Sequence, residues 1–301
     1  MTSNGCKICV LGGGWSNERE ISLKSSFDVY KTLLDNQHNV VLFDMKRDSY
    51  EDLKSFLLNN SIDYVFNLIH GEGGEDGRIQ SYLDNLNIRY SGSNSHSSKI
   101  SFNKYQTKKI WKANNLETPD FEIFSNQSYK DLCGTYGDTF FIKDTCSGSS
   151  NNIFQIKNDK DFDSFQKNKI NREYMVERKI SSDEYTAAIL NETVLPIIKI
   201  TPSNDFYDFE AKYQSDETKF SFPDLTQEMM IKINTQVMNA FKVLGCEAWA
   251  RVDFFIEDNQ IILLEINTIP GMTDHSLVPK AARKYGLSYY QLLLEIIEID
   301  D

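Results

Sequence analysis

The stretch "IILLEINTIPGM", residues 261–272, decides how the C-terminal part of this chain folds. Four apolar residues in a row, Ile261 to Leu264, read as a buried strand. Glu265 and Asn267 follow two apart, so they share one face of that strand before Pro270 and Gly271 end it. A carboxylate and an amide carried into a core are costly unless something there binds them. The preceding run "ARVDFFIED", residues 250–258, reads as a second strand. Folded as an antiparallel hairpin around Glu257–Gln260, the pair sets Asp253, Glu265 and Asn267 on one face, with Arg251 as a further buried charge. Oxygen ligands without His or Cys nearby suit Mg²⁺ held together with substrate phosphates. The plainer alternative is a polar cross-strand cluster at a sheet edge.

Working back to the start, "KICVLGGGWSNEREISLKSSFDVYKTLL" (7–34) reads as strand, glycine turn and helix, with Asn17 and Glu20 spaced as a capping box. "NVVLFD" (39–44) is a strand and "SYEDLKSFLL" (49–58) a helix. "DYVFNLIH" (63–70) is a strand running into the glycine turn and helix "GEGGEDGRIQSYLDNL" (71–86). This alternation predicts a parallel α/β domain over residues 1–98. Its ligand belongs at the carboxyl ends of the strands, where Gly12–Gly14 and His70–Gly77 fall.

Shorter elements follow over 99–182: a helix at "NKYQTKKIWKANN" (103–115), strands "TFFIKD" (139–144) and "NIFQIK" (152–157), a charged helix near 159–168, and a strand "EYMVERKI" (173–180). They predict a small α+β domain. Residues 183–301 bring strands "EYTAAILN" (184–191) and "VLPIIKITP" (194–202), then a long polar segment at 203–224, a helix at 226–243, the hairpin and a closing helix near 288–298. A polar segment of that length inside a compact domain reads as a lid or binding loop.

Three further sites stand out. Gly12–Gly14 suggests a dinucleotide turn, but Glu18 at the helix start repels a diphosphate and suits an ammonium group. A carboxylate favoured by the helix dipole is the plainer reading. His70-Gly-Glu-Gly-Gly-Glu-Asp-Gly places three acids around a histidine with glycines that let backbone amides approach a ligand; a solvated turn is the alternative. "IKDTCSGSSNN" (142–152) offers Lys143 and then a Gly/Ser loop of the kind that closes over triphosphates, though a solvated lysine fits as well.

Composition narrows the function. The chain of 301 residues is 40% hydrophobic and 25% charged, an ordinary folded composition with room for two or three domains. A net charge of −12 argues against a general binder of nucleic acid or anionic membrane. No apolar run approaches the roughly 20 residues that span a bilayer, and the start lacks a signal-peptide pattern. Five scattered cysteines fit a reducing compartment, so the expected location is cytoplasmic. Cys6 and Cys9 lie on a predicted strand three apart, on opposite faces, which disfavours a redox or chelating pair.

Taken together, these segments resemble the D-alanine–D-alanine ligases of the ATP-grasp superfamily over nearly the whole chain. The matching stretches, in order, are "LGGGWSNEREISLKSS" (11–26), "LIHGEGGEDGRIQSYLDNLNIRYSGS" (68–93), "NKYQTKK" (103–109), "GSS" (148–150), "FYDFEAKYQSDET" (206–218), "RVDFF" (251–255) and "LEINTIPGMTDHSLVPKAA" (264–282). The resemblance implies a three-domain ATP-grasp architecture, α/β and α+β, consistent with the segmentation above. It implies that one D-alanine carboxylate attacks the γ-phosphate of ATP, and that a second D-alanine amine then displaces phosphate from the acyl phosphate.

At matching positions the resemblance implies that Glu18 receives the first ammonium, oriented by Ser149 and Tyr213, with His70 beside that substrate. Arg251 and the N–H of Gly271 face the oxyanion, and Ser276 the second carboxylate. Lys104, Lys143 and Lys212 face the ATP phosphates, and Glu184 the ribose. Glu177 with Arg178, Lys179 and Ile180 frames the adenine. Asp253, Glu265 and Asn267 hold two Mg²⁺ ions, or Mn²⁺ in their place. A homodimer is implied by the resemblance alone. Most members read Lys-Pro and then Arg-Glu-Gly-Ser-Ser-Val-Gly at the central loop, where this chain has Lys143-Asp144 and Cys146 to Asn152. Asn103 and Phe209 replace a usual Asp and Tyr. Two other readings stand beside the leading one: a related D-amino-acid ligase with another second substrate or a natural-product role, and an ATP-binding paralogue without catalysis. The intact metal triad and Arg251 speak against the last, since a binder needs no oxyanion donor.

Overall fold

The computed structural model describes residues 6–47, 49–148, 152–201 and 218–298. Four parallel strands open the chain: β1 (Ile8–Gly13), β2 (Val40–Met45), β3 (Tyr64–Asn67) and β4 (Arg89–Tyr90), in the order β2-β1-β3-β4. Helices α1 (Arg19–Asp35), α2 (Tyr50–Asn59) and α3 (Arg78–Leu86) alternate with them, as the α/β pattern requires. One face of this sheet packs Leu11, Val65 and Ile69 against Leu53, Leu57 and Leu83 of α2 and α3.

Helix α1 lies unusually close to β1. A side chain at Gly12 would meet Ser26 Oγ at 2.1 Å, so only glycine fits opposite this serine-lined helix. Ser22 Oγ seals the junction by accepting from Gly13 N–H (2.9 Å) and donating to the Leu68 carbonyl (2.6 Å). The expected capping box of Asn17 and Glu20 is not formed. The N-cap is Glu18, whose side chain makes no capping bond, and Ser16 Oγ instead accepts from Glu18 N–H (3.1 Å). Ser16 is in turn tied to the His70 carbonyl, which fixes the helix start by contacts the local spacing does not reveal.

After α4 (Ser95–Phe102) and α5 (Lys104–Ala113), a second sheet runs β5 (Phe121–Ile123), β8 (Tyr174–Arg178), β6 (Phe140–Asp144), β7 (Ile153–Ile156), all antiparallel. Helices α6 (Tyr129–Tyr136) and α7 (Asp159–Asn168) cover one face through an aromatic cluster of Tyr136, Phe140, Phe165 and Tyr174. Helix α4, strand β5 and helix α6 carry no distinctive hydrophobic period, and the sequence pattern alone does not mark them.

The third sheet is antiparallel in the order β12 (Lys219–Ser221), β11 (Ile198–Thr201), β9 (Glu184–Leu190), β13 (Trp249–Glu257), β14 (Gln260–Asn267). The run expected as one strand at 194–202 is two: β10 (Thr193–Val194) hairpins back on β9, and β11 begins only at Ile198. Pro196 between them has no N–H for a ladder, which accounts for the break. Helix α8 (Gln227–Lys242) covers one face of this sheet together with Trp111 of α5, whose indole N–H reaches the Ala240 carbonyl (3.0 Å). The other face meets α9 (Leu277–Tyr285), α10 (Tyr289–Glu298) and the free side of the first sheet in one continuous core that includes Phe66 and Trp249. No described helix is long and apolar enough to cross a membrane.

Candidate active site

The hairpin of β13 and β14 turns at Glu257–Gln260, and its register pairs Asp253 with Glu265 and Arg251 with Asn267. Directly opposed residues of an antiparallel pair point to one side, so four polar side chains share a face. Next in register Phe254 pairs with Leu263, which leaves Leu264 as an extra residue, a β-bulge. The bulge explains how the strand carries a carboxylate out of a core. Leu263 stays among the buried apolar residues, whereas Glu265, two positions on, opens into a cavity.

That cavity, of about 240 Å³, gathers residues from all three sheets' surroundings. Glu18 and Lys24 come from the start of α1, Glu75 from the glycine turn, and Lys104 from the first turn of α5. Ser147 and Gly148 come from the loop after β6, Arg251, Glu265 and Asn267 from the hairpin, and Gly271 and Ser276 from the turn before α9. The loop after β6 lies hard against Glu18: a side chain at Gly148 would stand 2.3 Å from the Glu18 carboxylate. Lys104 donates to the Ser147 carbonyl (2.7 Å) and sits 3.3 Å from Glu265. Burial alone would lower the Lys104 pKa, but Glu265, Glu75 and Asp144 outweigh it and raise it.

Charges in the wall are arranged in opposed pairs. Arg251 grips Asp253 with two parallel hydrogen bonds (2.9 and 2.8 Å), and Thr186 donates to the same carboxylate, which is 1% exposed. Glu75 is buried in the same cavity as Lys104 and Arg251. Burial, and then the charge of Glu18, pushes its carboxyl well above the ordinary range against the pull of Lys104 and Arg251. His70 donates from Nδ1 to the Ile269 carbonyl (2.9 Å), because a carbonyl can only accept, and Nε2 faces Ser25 Oγ (3.4 Å). Burial dominates its shift downward, so the imidazole is neutral. Ser25 Oγ also accepts from Met272 N–H (3.3 Å), and the first and third sheets are thereby pinned together beside Gly271.

A second charged cluster lies behind the loop. Glu177 on β8 is 2% exposed and takes Lys143 of β6 on one carboxylate oxygen and Lys108 of α5 on the other, the latter at 2.9 Å. Burial would raise the Glu177 pKa, but Lys108 and Lys143 together pull it below the usual range. Lys108 also moves down, to about 8, chiefly through burial, with Lys143 adding to the shift against the pull of Glu177.

Family models place this geometry. The model described as D-ala D-ala ligase C-terminus matches residues 110–298, and D-ala D-ala ligase N-terminus matches 48–93. The chain belongs to the D-alanine–D-alanine ligase family. It is 37% identical over 297 residues to D-alanine–D-alanine ligase B of Chromobacterium violaceum, covering 97% of each chain. The D-alanine–D-alanine ligase of Bacillus anthracis superposes with a TM-score of 0.86 at 30% identity, covering 98% of this chain and 97% of that one. The same enzyme complexed with ATP gives 0.82 at 29%, over 98% and 97%. The VanG D-Ala:D-Ser ligase of Enterococcus faecalis gives 0.83 at 25%, over 98% and 99%. The fold is thus that of the ATP-grasp ligases, and the chain is an ATP-dependent ligase.

Within this family frame, the residues expected at the site divide into groups. Glu18, Lys104, Arg251, Glu265, Asn267, Gly271 and Ser276 line one cavity. Ser276 caps α9 by position, yet its hydroxyl is turned back to Thr273, accepting its N–H (3.1 Å) and meeting its Oγ1 (2.8 Å). Asn267 Oδ1 accepts from Ile269 N–H (3.2 Å). Asp253 stands just behind the wall, gripped by Arg251, which lines it, and His70 lies deeper, bonded to Ile269 and Ser25 and within reach of the charges of Glu18 and Arg251. Lys143, Glu177, Arg178, Lys179, Ile180 and Glu184 lie elsewhere, along β6, the end of β8 and the start of β9. Arg178 there pairs with Glu257 (2.9 Å). Ser149, Lys212 and Tyr213 lie outside the described residues. Asn103, which stands for a usual Asp, caps α5 by accepting from Gln106 N–H (2.9 Å), a task either side chain performs.

Two residues were not singled out by sequence reasoning. Glu75 was hidden among the acids of its turn, where nothing local distinguishes a buried carboxyl from a solvated one. Lys108 did leave a signal. Lys104 and Lys108 are four apart on one helix face, an arrangement that repels unless anions meet it.

Proposed function

We propose that the chain joins two D-alanines to D-alanyl-D-alanine through an acyl phosphate, using ATP and Mg²⁺, to supply peptidoglycan precursor in the cytoplasm. The observation that carries this reading is the cavity in which Glu18, Lys104, Arg251 and Glu265 converge from separate parts of the fold, with Asp253 paired to Glu265 just behind its wall. Glu18 offers a buried carboxylate to the ammonium of the first D-alanine, and neutral His70 stays close without competing for charge. One carboxylate oxygen of that D-alanine attacks the γ-phosphorus, and ADP leaves. The amine of the second D-alanine, its carboxylate met by Ser276, adds to the acyl carbon. Arg251 and Gly271 N–H then face the oxyanion. Phosphate departs with the bridging oxygen, and the new amide nitrogen gives up its proton.

The donor set fits a hard divalent cation: two carboxylates opposed across the hairpin and an amide two residues on. Among the described residues no three His, Cys, Asp or Glu side chains form a metal group by themselves, so phosphate oxygens would complete the shell. Such a cation would neutralise charge on the transferring phosphoryl group. Asp253, Glu265 and Asn267 would hold it, and Arg251, which lines the cavity, bonds both oxygens of Asp253 here.

For the nucleotide, Lys104, Lys143 and Lys212 are assigned to the phosphates and Glu184 to the ribose. Glu177 with Arg178–Ile180 is assigned to the adenine. Ser149 and Tyr213 are assigned to orienting Glu18. Three working units, 1–98, 99–182 and 183–301, go with this assignment, α5 being shared between the second and third. A homodimer is part of the reading and is checked by sedimentation.

The test is phosphate release with ATP and Mg²⁺ across D-alanine, D-serine, D-lactate and L-alanine. D-alanine alone should support release and give the dipeptide. No D-alanine-dependent release would remove the enzyme reading, and release only with a second acceptor would point to a different ligase.

A further inference from the structure

We infer that Lys108 is a positioning residue for the nucleotide, holding Glu177 aimed at the base while Lys143 turns to the phosphates. This rests on the reading that Glu177 faces the adenine and Lys143 the phosphates. The two lysines divide the carboxylate between them, Lys143 on Oε1 and Lys108 on Oε2. They are not equivalent. Lys108 is 1% exposed: its Nζ donates to Thr118 Oγ1 (2.7 Å) and, at longer range, to the Leu263 carbonyl (3.5 Å), and it stands 2.9 Å from Glu177 Oε2 as an ion pair that leaves this buried oxygen open to a hydrogen bond. Thr118 Oγ1 is itself fixed by donating to that carbonyl (2.8 Å). A lysine so enclosed cannot follow a ligand.

Lys143 is differently placed. It stands at the end of β6, where the serine-rich loop begins, and β6 and β8 are paired neighbours in the central sheet. A triphosphate arriving there draws Lys143 away and opens Oε1 as an acceptor for the exocyclic amino group of the base. Lys108 makes that exchange affordable, because the buried carboxylate keeps one cation throughout. A carboxylate at this place also selects the base. It accepts from the 6-amino group of adenine and repels the 6-oxo group of guanine. Without Lys108 the carboxylate must either retain Lys143 or take up a proton, and a protonated Glu177 tolerates guanine. Lys108 also spans two sheets, joining β8 to the Leu263 carbonyl of β14, so it fixes the base-binding edge relative to the hairpin carboxylates.

The experiment uses the full-length chain with ATP or GTP, Mg²⁺ and saturating D-alanine, comparing wild type with Lys108→Met, Lys108→Arg and Glu177→Gln. Lys108→Met should raise KM for ATP about tenfold or more, change kcat far less, and leave KM for D-alanine alone. The ATP-over-GTP preference in kcat/KM should fall, and Lys108→Arg should recover most of it. Should Lys108→Met not fold, Glu177→Gln is compared with Lys108→Gln/Glu177→Gln. Equal nucleotide KM and preference in the two support the inference, and a further loss in the double variant overturns it. Unchanged nucleotide KM and preference in a folded Lys108→Met, with both altered in Glu177→Gln, also overturns it. If Glu177→Gln itself alters neither, the adenine reading fails first, and the role of Lys108 falls with it.

Discussion

Asp253 and Glu177 are almost equally removed from solvent, yet they are neutralised in opposite ways. Asp253 is held by Arg251, two residues away on the same strand, and by Thr186 on the adjacent strand β9. Glu177 is held by lysines 34 and 69 residues distant, one from β6 and one from α5. The first is a closed unit carried by a hairpin. The second is a junction between sheets whose members can exchange partners. On the proposed assignment, the former suits a site that holds metal and oxyanion in fixed geometry, and the latter a nucleotide pocket that opens and closes.

Changes on the hairpin should cost most. Glu265→Gln removes a proposed metal-facing charge without disturbing the Asp253–Arg251 pair, and turnover should fall by about two or more orders of magnitude. Its melting temperature should stay near wild type, and a wild-type rate would detach Glu265 from the chemistry. Arg251→Met leaves Asp253 buried without its cation, and chemical denaturation should show a loss of about 3–5 kcal/mol. A stability within error of wild type would mean that the strand-local pairing is not what holds Asp253.

The junction should respond to acid. The Glu177 carboxyl lies below its ordinary value of 4.5 in the fold, so between the two values the unfolded chain binds more protons. Stability from this group is therefore present above about 4.5 and is lost as the pH falls through the folded value. Glu177→Gln should flatten that part of an acid-denaturation curve, and an unaltered slope would deny the ion pairs their weight. The smallest effect is expected at α5: Asn103→Ala should cost about 1 kcal/mol as a lost cap, and Asn103→Asp close to nothing.

The same contrast governs what could be read from the sequence. The hairpin was legible because a period of two fixes which side chains share a face, and Glu257–Gln260 is where the register turns. The bulge at Leu264 was not, although it is what separates Leu263 in the core from Glu265 in the cavity. The alternating α/β pattern of the first sheet was equally plain, whereas the start of α1 was not. Its capping-box spacing was outweighed by Ser16, tied to a carbonyl 54 residues on. Pro196 marks the break between β10 and β11 inside a run whose apolar residues otherwise continue as one strand. Lys108 and Glu75 acquire their meaning from burial and from partners distant in sequence, which spacing does not encode.

The central claim is that a carboxylate oxygen of one D-alanine passes to phosphate through an acyl phosphate. Supplying D-alanine labelled with ¹⁸O in its carboxylate, and following the released phosphate by ³¹P NMR, tests it most directly. The account predicts one labelled oxygen in phosphate for each dipeptide formed. Dipeptide accompanied by unlabelled phosphate would contradict it.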